Sequence, residues 1–407
     1  MFMDLYSRIS NLALPGKMKK ISTSLLSAVA VVSSLGLVGA AHAQNEQVVL
    51  IGLAAPLTGP SARIGKDLQN GAQLALDDAN KTHPTIGGKP VVYQLVAVDD
   101  QSDPRTAVTV AQQLVDQHVI GVVGDWNTGC SVPASRVYYS AGIPQIAPAS
   151  TGHQYTEQGY NTAFRIMGHD DASGAYTGAY AVKTLKAQRI VVIDDRTSFG
   201  AGLATQFIKG VQSNGGTVID HEYVDDKTTD FSGVLTTIKA KHADLVFFGG
   251  IDAQAAPLAR RMRQLQINAT LLGAGGFVSQ TFLKLAGQDG EGVTALEPGR
   301  PVDLMPGGKG FDAQYRARYH APIELHAPFA YDAAATLIAA AQQTGSTDHA
   351  KLVAALHTIS RQGVTGTIAF DQEGNLKDPA YTIHEVKDGK WAVVDVLGGN
   401  TSQAAAR

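Results

Sequence analysis

A single cysteine, Cys130, stands in the 407 residues of this chain. One thiol closes no intramolecular disulfide and builds no thiolate zinc site, so the protein must hold itself together by burying a core. A strong charge of either sign is lacking as well: 33 Lys and Arg face 36 Asp and Glu, a formal net charge of −3. That balance offers no footprint for nucleic acid or for an anionic membrane surface. Catalytic signatures are missing too. No G-x-S-x-G elbow occurs. Gly59 to Asp67 comes near a Walker A loop but has one residue too many before Gly65-Lys66, and Asp67 stands where a Mg²⁺-binding hydroxyl belongs. The Gly200-x-Gly202 and Gly273-x-Gly275 pairs lack the third glycine of a dinucleotide fingerprint, having Thr205 and Val278 instead. No two histidines sit at metal-ligand spacing beside a third ligand. Asp99, Asp100 and Asp103 match a calcium loop poorly and are read as a strand end and a helix cap. The sequence therefore predicts no catalytic residue, no metal and no cofactor.

What is present begins with one long apolar run. Lys17, Lys19 and Lys20 precede the small and apolar stretch Ile21 to Ala40, and Ala41-His42-Ala43 has the A-x-A form of a secretory cleavage site. Residues 1–43 are read as a signal peptide, with Met18 an alternative start. This segment carries four basic residues and one acid, so its removal takes the formal charge from −3 to −6. Cys130 lies far from the cleavage point, so no lipid-accepting cysteine follows it, and a soluble periplasmic product is expected.

After residue 43, β-type runs alternate with helical ones. Val48 to Ala54 is followed by a helix with Ile64, Leu68, Ala72 and Ala75 at helical spacing, then by a strand from Val91 to Val98. Asp103-Pro104 reads as an N-cap followed by Pro at the first helical position. Strands at Ile120 to Val123, Ile143 to Ile146 and Thr162 to Ile166 complete a first series. A second runs from Arg189 to Leu296, with helices from Phe199, from Phe231 and through Leu258 and Met262. Successive βα units imply parallel sheets with helices on both faces, so an α/β protein of two similar, Rossmann-like lobes is expected. Helices at Phe311 to Tyr319, Ala330 to Gln343 and Lys351 to Ile359 come after both sheets are complete and are expected to cover the first lobe. β-type runs at Tyr381 to Val386 and Trp391 to Val396 close the chain. The lobes are placed at 44–169 plus 298–377 and at 170–297 plus 378–407. A cleft between them would receive a ligand at the carboxyl ends of the strands.

Two loops there suit a carboxylate: Gly124-Asp125-Trp126-Asn127-Thr128-Gly129-Cys130, and Ala147-Pro148-Ala149-Ser150-Thr151-Gly152. Each presents hydroxyls and main-chain N–H groups where a strand ends. Read from composition alone, Thr128 and Thr151 are equally explained as helix N-caps.

The run from Val48 through Thr58-Gly59-Pro60, Asp99-Asp100 with Asp103-Pro104, Pro133-Ala134-Ser135, and Ile146 to Thr151 resemble the leucine–isoleucine–valine-binding protein family. So do Phe199-Gly200-x-Gly202, Gly249-Gly250, Tyr331-Asp332-Ala333 and Phe370-Asp371-x-x-Gly374. The resemblance implies a type I periplasmic binding fold, with lobes joined by a three-crossover hinge that closes over the ligand and delivers it to an ABC permease. It places the ligand carboxylate on Thr128 and on Ala149, Ser150 and Thr151. Trp126, Asn127 and Ile64 would line the side-chain pocket, Phe199 would be the aromatic lid, and His326 would hold the place of a pocket aromatic.

Two departures concern the amino end of the ligand. Gly275 stands where the family has an acid for the ligand ammonium, and Ile251 where it has an aromatic. A buried ammonium without a counter-charge is costly. Either Asp252 supplies the charge or the ligand has no ammonium; as an alternative role, Asp252 would cap the helix beginning at Ala253. Ser102 and Asn127 occupy the family's disulfide positions, which leaves Cys130 a lone, buried thiol. The expected function is a non-enzymatic, monomeric periplasmic binder of a branched-chain or other apolar amino acid, working with ABC permease and ATPase subunits. A binder of aromatic or aliphatic carboxylates, or a sensor-like protein acting through a receptor, are the alternatives.

Overall fold

The computed structural model describes residues 46–399. The signal peptide expected over 1–43 lies outside the described residues.

The first sheet comprises β1 (Gln47–Ala55), β2 (Thr85–Ile86), β3 (Lys89–Asp99), β4 (Val122–Val123), β5 (Gln145–Ala147) and β6 (Ala163–Arg165). Their order is β2-β3-β1-β4-β5-β6, and every pairing except β2 with β3 is parallel. β1 shows why both faces must be covered. Val49, Ile51 and Leu53 enter one buried cluster with helix α1 (Ala62–Asn80), while Ala54 enters another with α2 (Pro104–Asp116) and α3 (Thr128–Ser140). Alternate side chains of a strand point to opposite faces, so an apolar run this continuous needs helices on both. Asp103 caps α2 as expected, accepting from the N–H groups of Arg105 and Thr106 at 3.1 and 2.8 Å. A short helix, α4 (Gln154–Glu157), follows β5.

After β6 the chain enters α5 (Asp170–Ala179) and a second sheet: β7 (Ile190–Asp194), β8 (Val218–Tyr223), β9 (Leu245–Gly249), β10 (Thr270–Ala274) and β11 (Thr294–Pro298). Helices α6 (Ser198–Ser213), α7 (Ser232–Ala240), α8 (Asp252–Gln264) and α9 (Gln280–Ala286) connect them. The chain then builds α10 (Gly308–Tyr319), α11 (Ala327–Thr344), α12 (His349–Thr358) and the hairpin β12 (Ser360–Gln362) and β13 (Thr367–Ala369). It returns to the second sheet as β14 (Ala380–Lys387) and β15 (Lys390–Gly398), in the order β15-β14-β11-β10-β9-β7-β8. The late helices cover the first lobe, as expected: Phe329, Ala333, Leu337 and Leu356 lie in the same cluster as Val49 and Ile51. α11 can lie close against α1 because Gly71 has no side chain; a Cβ there would stand 2.1 Å from the Ala327 carbonyl oxygen.

Three crossings thus join the lobes, and they are tied to one another. Arg165 Nε donates to Asn375 Oδ1 at 3.2 Å, the His169 N–H to Tyr381 Oη at 2.9 Å, and the Gly299 N–H to the Ala380 carbonyl at 2.7 Å. The chain passes from β1 to β3 on one side and then to β4 on the other; β7, β8 and β9 repeat the pattern. Each sheet therefore has a switch point, one between β1 and β4 and one between β7 and β9, where loops diverge and leave a crevice. No helix among the described residues is long and apolar enough to cross a membrane.

Candidate functional site

On the first lobe, the two loops singled out from sequence follow β4 and β5, the first of them at the switch point. Asn127 is the N-cap of α3 and makes no side-chain cap bond. Thr128 is the first helical residue, so its N-cap reading does not hold. Its Oγ1 accepts the Gly152 N–H at 3.1 Å, which ties the two loops together, and no protein acceptor for its own proton is found among the described residues. The helix start adds its own N–H groups and partial positive charge. Ala149 and Thr151 are buried beside it.

Ser150 has a different part from the one expected. Its hydroxyl contacts Ser131 Oγ and donates toward the Asp125 carbonyl at 3.1 Å, so it anchors the loop base and leaves only main chain for a ligand. Trp126 is half-buried against the first core cluster, and Ile64 is buried within it. Asn127 Oδ1 and His326 Nδ1 are buried without a hydrogen-bond partner in the protein. Burial and, after it, the Arg63 charge push His326 down to about 3, so its ring is neutral at physiological pH.

Beneath this wall lie two more carboxyls. Asp125 is fully buried and accepts from Gln145 Nε2 at 3.1 Å, and it faces Asp100 from the end of β3. Burial raises both, Asp125 further through the Asp100 charge, as expected of two acids that share one proton. The other two members of the acidic cluster are engaged elsewhere: Asp103 caps α2, and Asp99 accepts the Leu57 N–H at 2.8 Å and the Thr58 hydroxyl.

The second lobe brings Phe199, Ile251 and the Gly275-Gly276 turn together. A Cβ on Gly275 would stand 3.2 Å from Phe199 Cζ, and one on Gly276 would stand 3.4 Å from Ile251 Cγ2. Both glycines have positive φ, 62° and 81°, so an acid at 275 would be strained as well as crowded. Asp252 does not cap α8. Ile251 is the N-cap, and Asp252 is the buried first residue, its carboxylate held by Arg63 from the first lobe and by Ser279 Oγ at 2.5 Å. Arg63 also pairs with Glu324 at 2.8 Å. The counter-charge expected of Asp252 is thus already spent on a contact across the cleft. Gln154 Nε2 meets the Ser198 carbonyl at 3.5 Å on the rim, a second contact across the cleft.

Sequence reasoning missed Arg63, Arg165, Asp170 and Glu297. Asp170 begins α5 beside the Thr151 hydroxyl; burial pushes it up to about 6, against Thr151 and the Arg165 charge. Glu297, next to last in β11, accepts the Gly276 N–H at 3.0 Å. It could have been found as a lone acid closing the apolar run Val293 to Leu296 just before a proline. A surface hollow lined by Met262, Asn268, Leu271 and Val293 lies at the amino ends of β10 and β11, the wrong edge for a switch-point ligand.

Two α/β lobes, each with a switch point, with the Thr128 and Ala149–Thr151 loops at the edge of the first, make a two-lobed architecture with a cleft between. A family model described as periplasmic binding protein matches residues 48–390, and the chain belongs to that family. It is 36% identical over 377 residues to an amino acid binding protein of Pseudomonas aeruginosa, covering 92% of this chain and 98% of that one. It is 31% identical to Leu/Ile/Val-binding protein homolog 3 of Brucella melitensis, covering 91% and 99%. It also superposes on LivJ of Streptococcus pneumoniae, a branched-chain amino acid transporter substrate-binding protein in complex with isoleucine. The TM-score there is 0.78 at 26% identity, covering 86% of this chain and all of that one.

Proposed function

We propose that the protein is the periplasmic solute-binding component of an ABC importer and carries a branched-chain or other apolar amino acid to its permease and ATPase subunits as a monomer. Residues 46–169 with 298–377 form one lobe and 170–297 with 378–399 the other, and the ligand lies between them. The observation that carries this reading is the Thr128 hydroxyl, which accepts from Gly152 N–H and keeps its proton for a ligand oxygen at the start of α3. Around it, Ile64, Trp126, Phe199 and Ile251 offer an apolar surface to a side chain, with Asn127, His326 and the Ala149–Thr151 main chain completing the wall.

Binding only to the native state raises its stability by mass action, about 2.7 kcal/mol at a hundredfold excess over Kd. A thermal-shift series on ligand-stripped protein should therefore show stabilisation by leucine, isoleucine or valine. The competing ligand class, carboxylates lacking the amino group, is favoured by the bare Gly275 turn; stabilisation by 4-methylpentanoate with leucine silent would establish that class instead. Silence toward both would end the reading.

Thr128→Val is expected to weaken leucine binding about 10- to 100-fold, the worth of a hydrogen bond to a charged group, whereas Thr128→Ser keeps most of the affinity. Calorimetric titration of the two variants checks this, and equal affinities would remove Thr128 from the site.

A further inference from the structure

Three acids lie near one another on the second-lobe side of the cleft: Asp170, Asp252 and Glu297. Asp252 holds Arg63 and Ser279; Asp170 lies beside the Thr151 hydroxyl and within the field of Arg165, with its Oδ2 buried and without a partner. Glu297 is 5% exposed, and its carboxyl accepts the Gly276 N–H at 3.0 Å; none of the ion pairs among the described residues includes it. It stands directly behind the Gly275-Gly276 turn, and those residues carry no side chain to screen it from the Phe199 and Ile251 side. A buried carboxyl with unused acceptor capacity at the carboxyl end of a parallel strand is a place for one positive charge.

We infer that Glu297 is the specificity residue for the ligand's charge, and that its carboxylate receives the ammonium of an amino-acid ligand in place of the acid missing at Gly275. This rests on the amino-acid reading above. Burial pushes the Glu297 carboxyl up to about 8, with the Asp252 and Asp170 charges adding to the rise against the Gly276 N–H. The ligand-free site at pH 7 is then mostly protonated, and an arriving ammonium converts the acid to carboxylate. The carboxyl O–H breaks, the carboxylate pairs with the ligand cation, and the proton leaves to solvent. At pH 7 about nine-tenths of a proton is released per ligand, because about nine in ten molecules hold one at a value near 8.

Asp252 is paired with Arg63, and Asp170, at about 6, is already ionised at pH 7. On the adjacent strand β14, His384 is down at about 4 and neutral, and burial raises the Tyr381 phenol above its usual value. The Arg165 guanidinium stays charged throughout.

The test is calorimetric titration of the ligand-stripped protein with leucine, in buffers of different ionisation enthalpy, at pH 7 and pH 8.5. Wild type is expected to release close to one proton per leucine at pH 7 and clearly less at pH 8.5, with leucine affinity rising over the same range. Glu297→Gln is expected to release none, to lose about 100-fold in leucine affinity, and to bind 4-methylpentanoate undiminished. Leucine binding by wild type with no proton released at either pH overturns the assignment while leaving the transport reading intact. So does unchanged leucine affinity in Glu297→Gln. The proton count on wild type decides even if the variant fails to fold. A wild type that binds neither leucine nor 4-methylpentanoate refutes the function reading itself, and this assignment falls with it.

Discussion

Replacing Arg165 with methionine is expected to lower the unfolding free energy by about 3–5 kcal/mol, the cost of breaking a buried charged network from one side. Arg165 is 1% exposed and makes four hydrogen bonds to the protein, using every one of its guanidinium nitrogens. Nη1 donates to the Ser150 and Gly152 carbonyls at 3.3 and 3.0 Å, Nη2 to Thr156 Oγ1 at 2.9 Å, and Nε to Asn375 Oδ1 at 3.2 Å. Methionine fills much of the volume but removes a donor from four buried acceptors, leaving Gly152 O with only the Tyr155 N–H and Asn375 Oδ1 with only the Thr156 hydroxyl. Two of those acceptors belong to the loop that presents Thr151 and Gly152, and a third belongs to the last interlobe crossing. Ligand affinity should therefore fall with stability, by about tenfold or more, because a loop displaced by a fraction of an ångström loses its alignment with the carboxylate. Asp170 also loses its nearby cation, and its carboxyl rises further above 6. Urea unfolding at pH 7 with parallel leucine titration measures both; a loss below about 1 kcal/mol would show that the network is not essential.

Asp67→Ala is expected to cost a similar amount, about 3–5 kcal/mol, with no comparable first effect on the carboxylate loops. Asp67 lies on α1 and serves as the N-terminal anchor of α11. Oδ2 accepts the N–H groups of Leu325, His326 and Ala327 at 3.1, 2.8 and 2.8 Å, while Oδ1 accepts from Glu324 N–H at 3.1 Å and Tyr315 Oη at 3.0 Å. Burial pushes this carboxyl up. All five partners are donors, however, so the ionised form is the one the geometry serves. The start of a helix has N–H groups with no internal partner and a partial positive charge, and a carboxylate there answers both. Alanine would orphan four main-chain donors, and asparagine would aim an amide N–H at some of them. Amide hydrogen exchange at 324–327 should rise along with the loss of global stability. Unchanged protection there would mean another acceptor has taken over.

Much of the fold could be read without coordinates because its causes are local. The apolar runs of β1, β3, β7 and β9 and the helical spacing of Ile64, Leu68 and Ala72 are periodicities within one element. The cap at Asp103 is a contact spanning three residues. The loops carrying Thr128 and Ala149–Thr151 were legible for a related reason: each follows directly on a strand that was itself legible. Thr128 and Thr151 as helix caps, Ser150 as a ligand hydroxyl, and Asp252 as cap or counter-charge were not settled by sequence spacing, since each depends on which way one side chain turns.

The boundary falls where interactions become long-range. Chain order and local pattern decided that this protein would be two βα lobes, with its late helices returned to the first and hydroxyl-bearing loops after β4 and β5. Only the packed chain decided which charges are spent. Arg63 reaches Asp252 across 189 residues, and Arg165 reaches Asn375 across 210. Whether an acid such as Glu297 is a solvated strand end or a buried group holding a proton near neutral pH depends on how much water surrounds it and on which cations are near. No stretch of sequence carries that information, because burial is a property of everything folded around a residue.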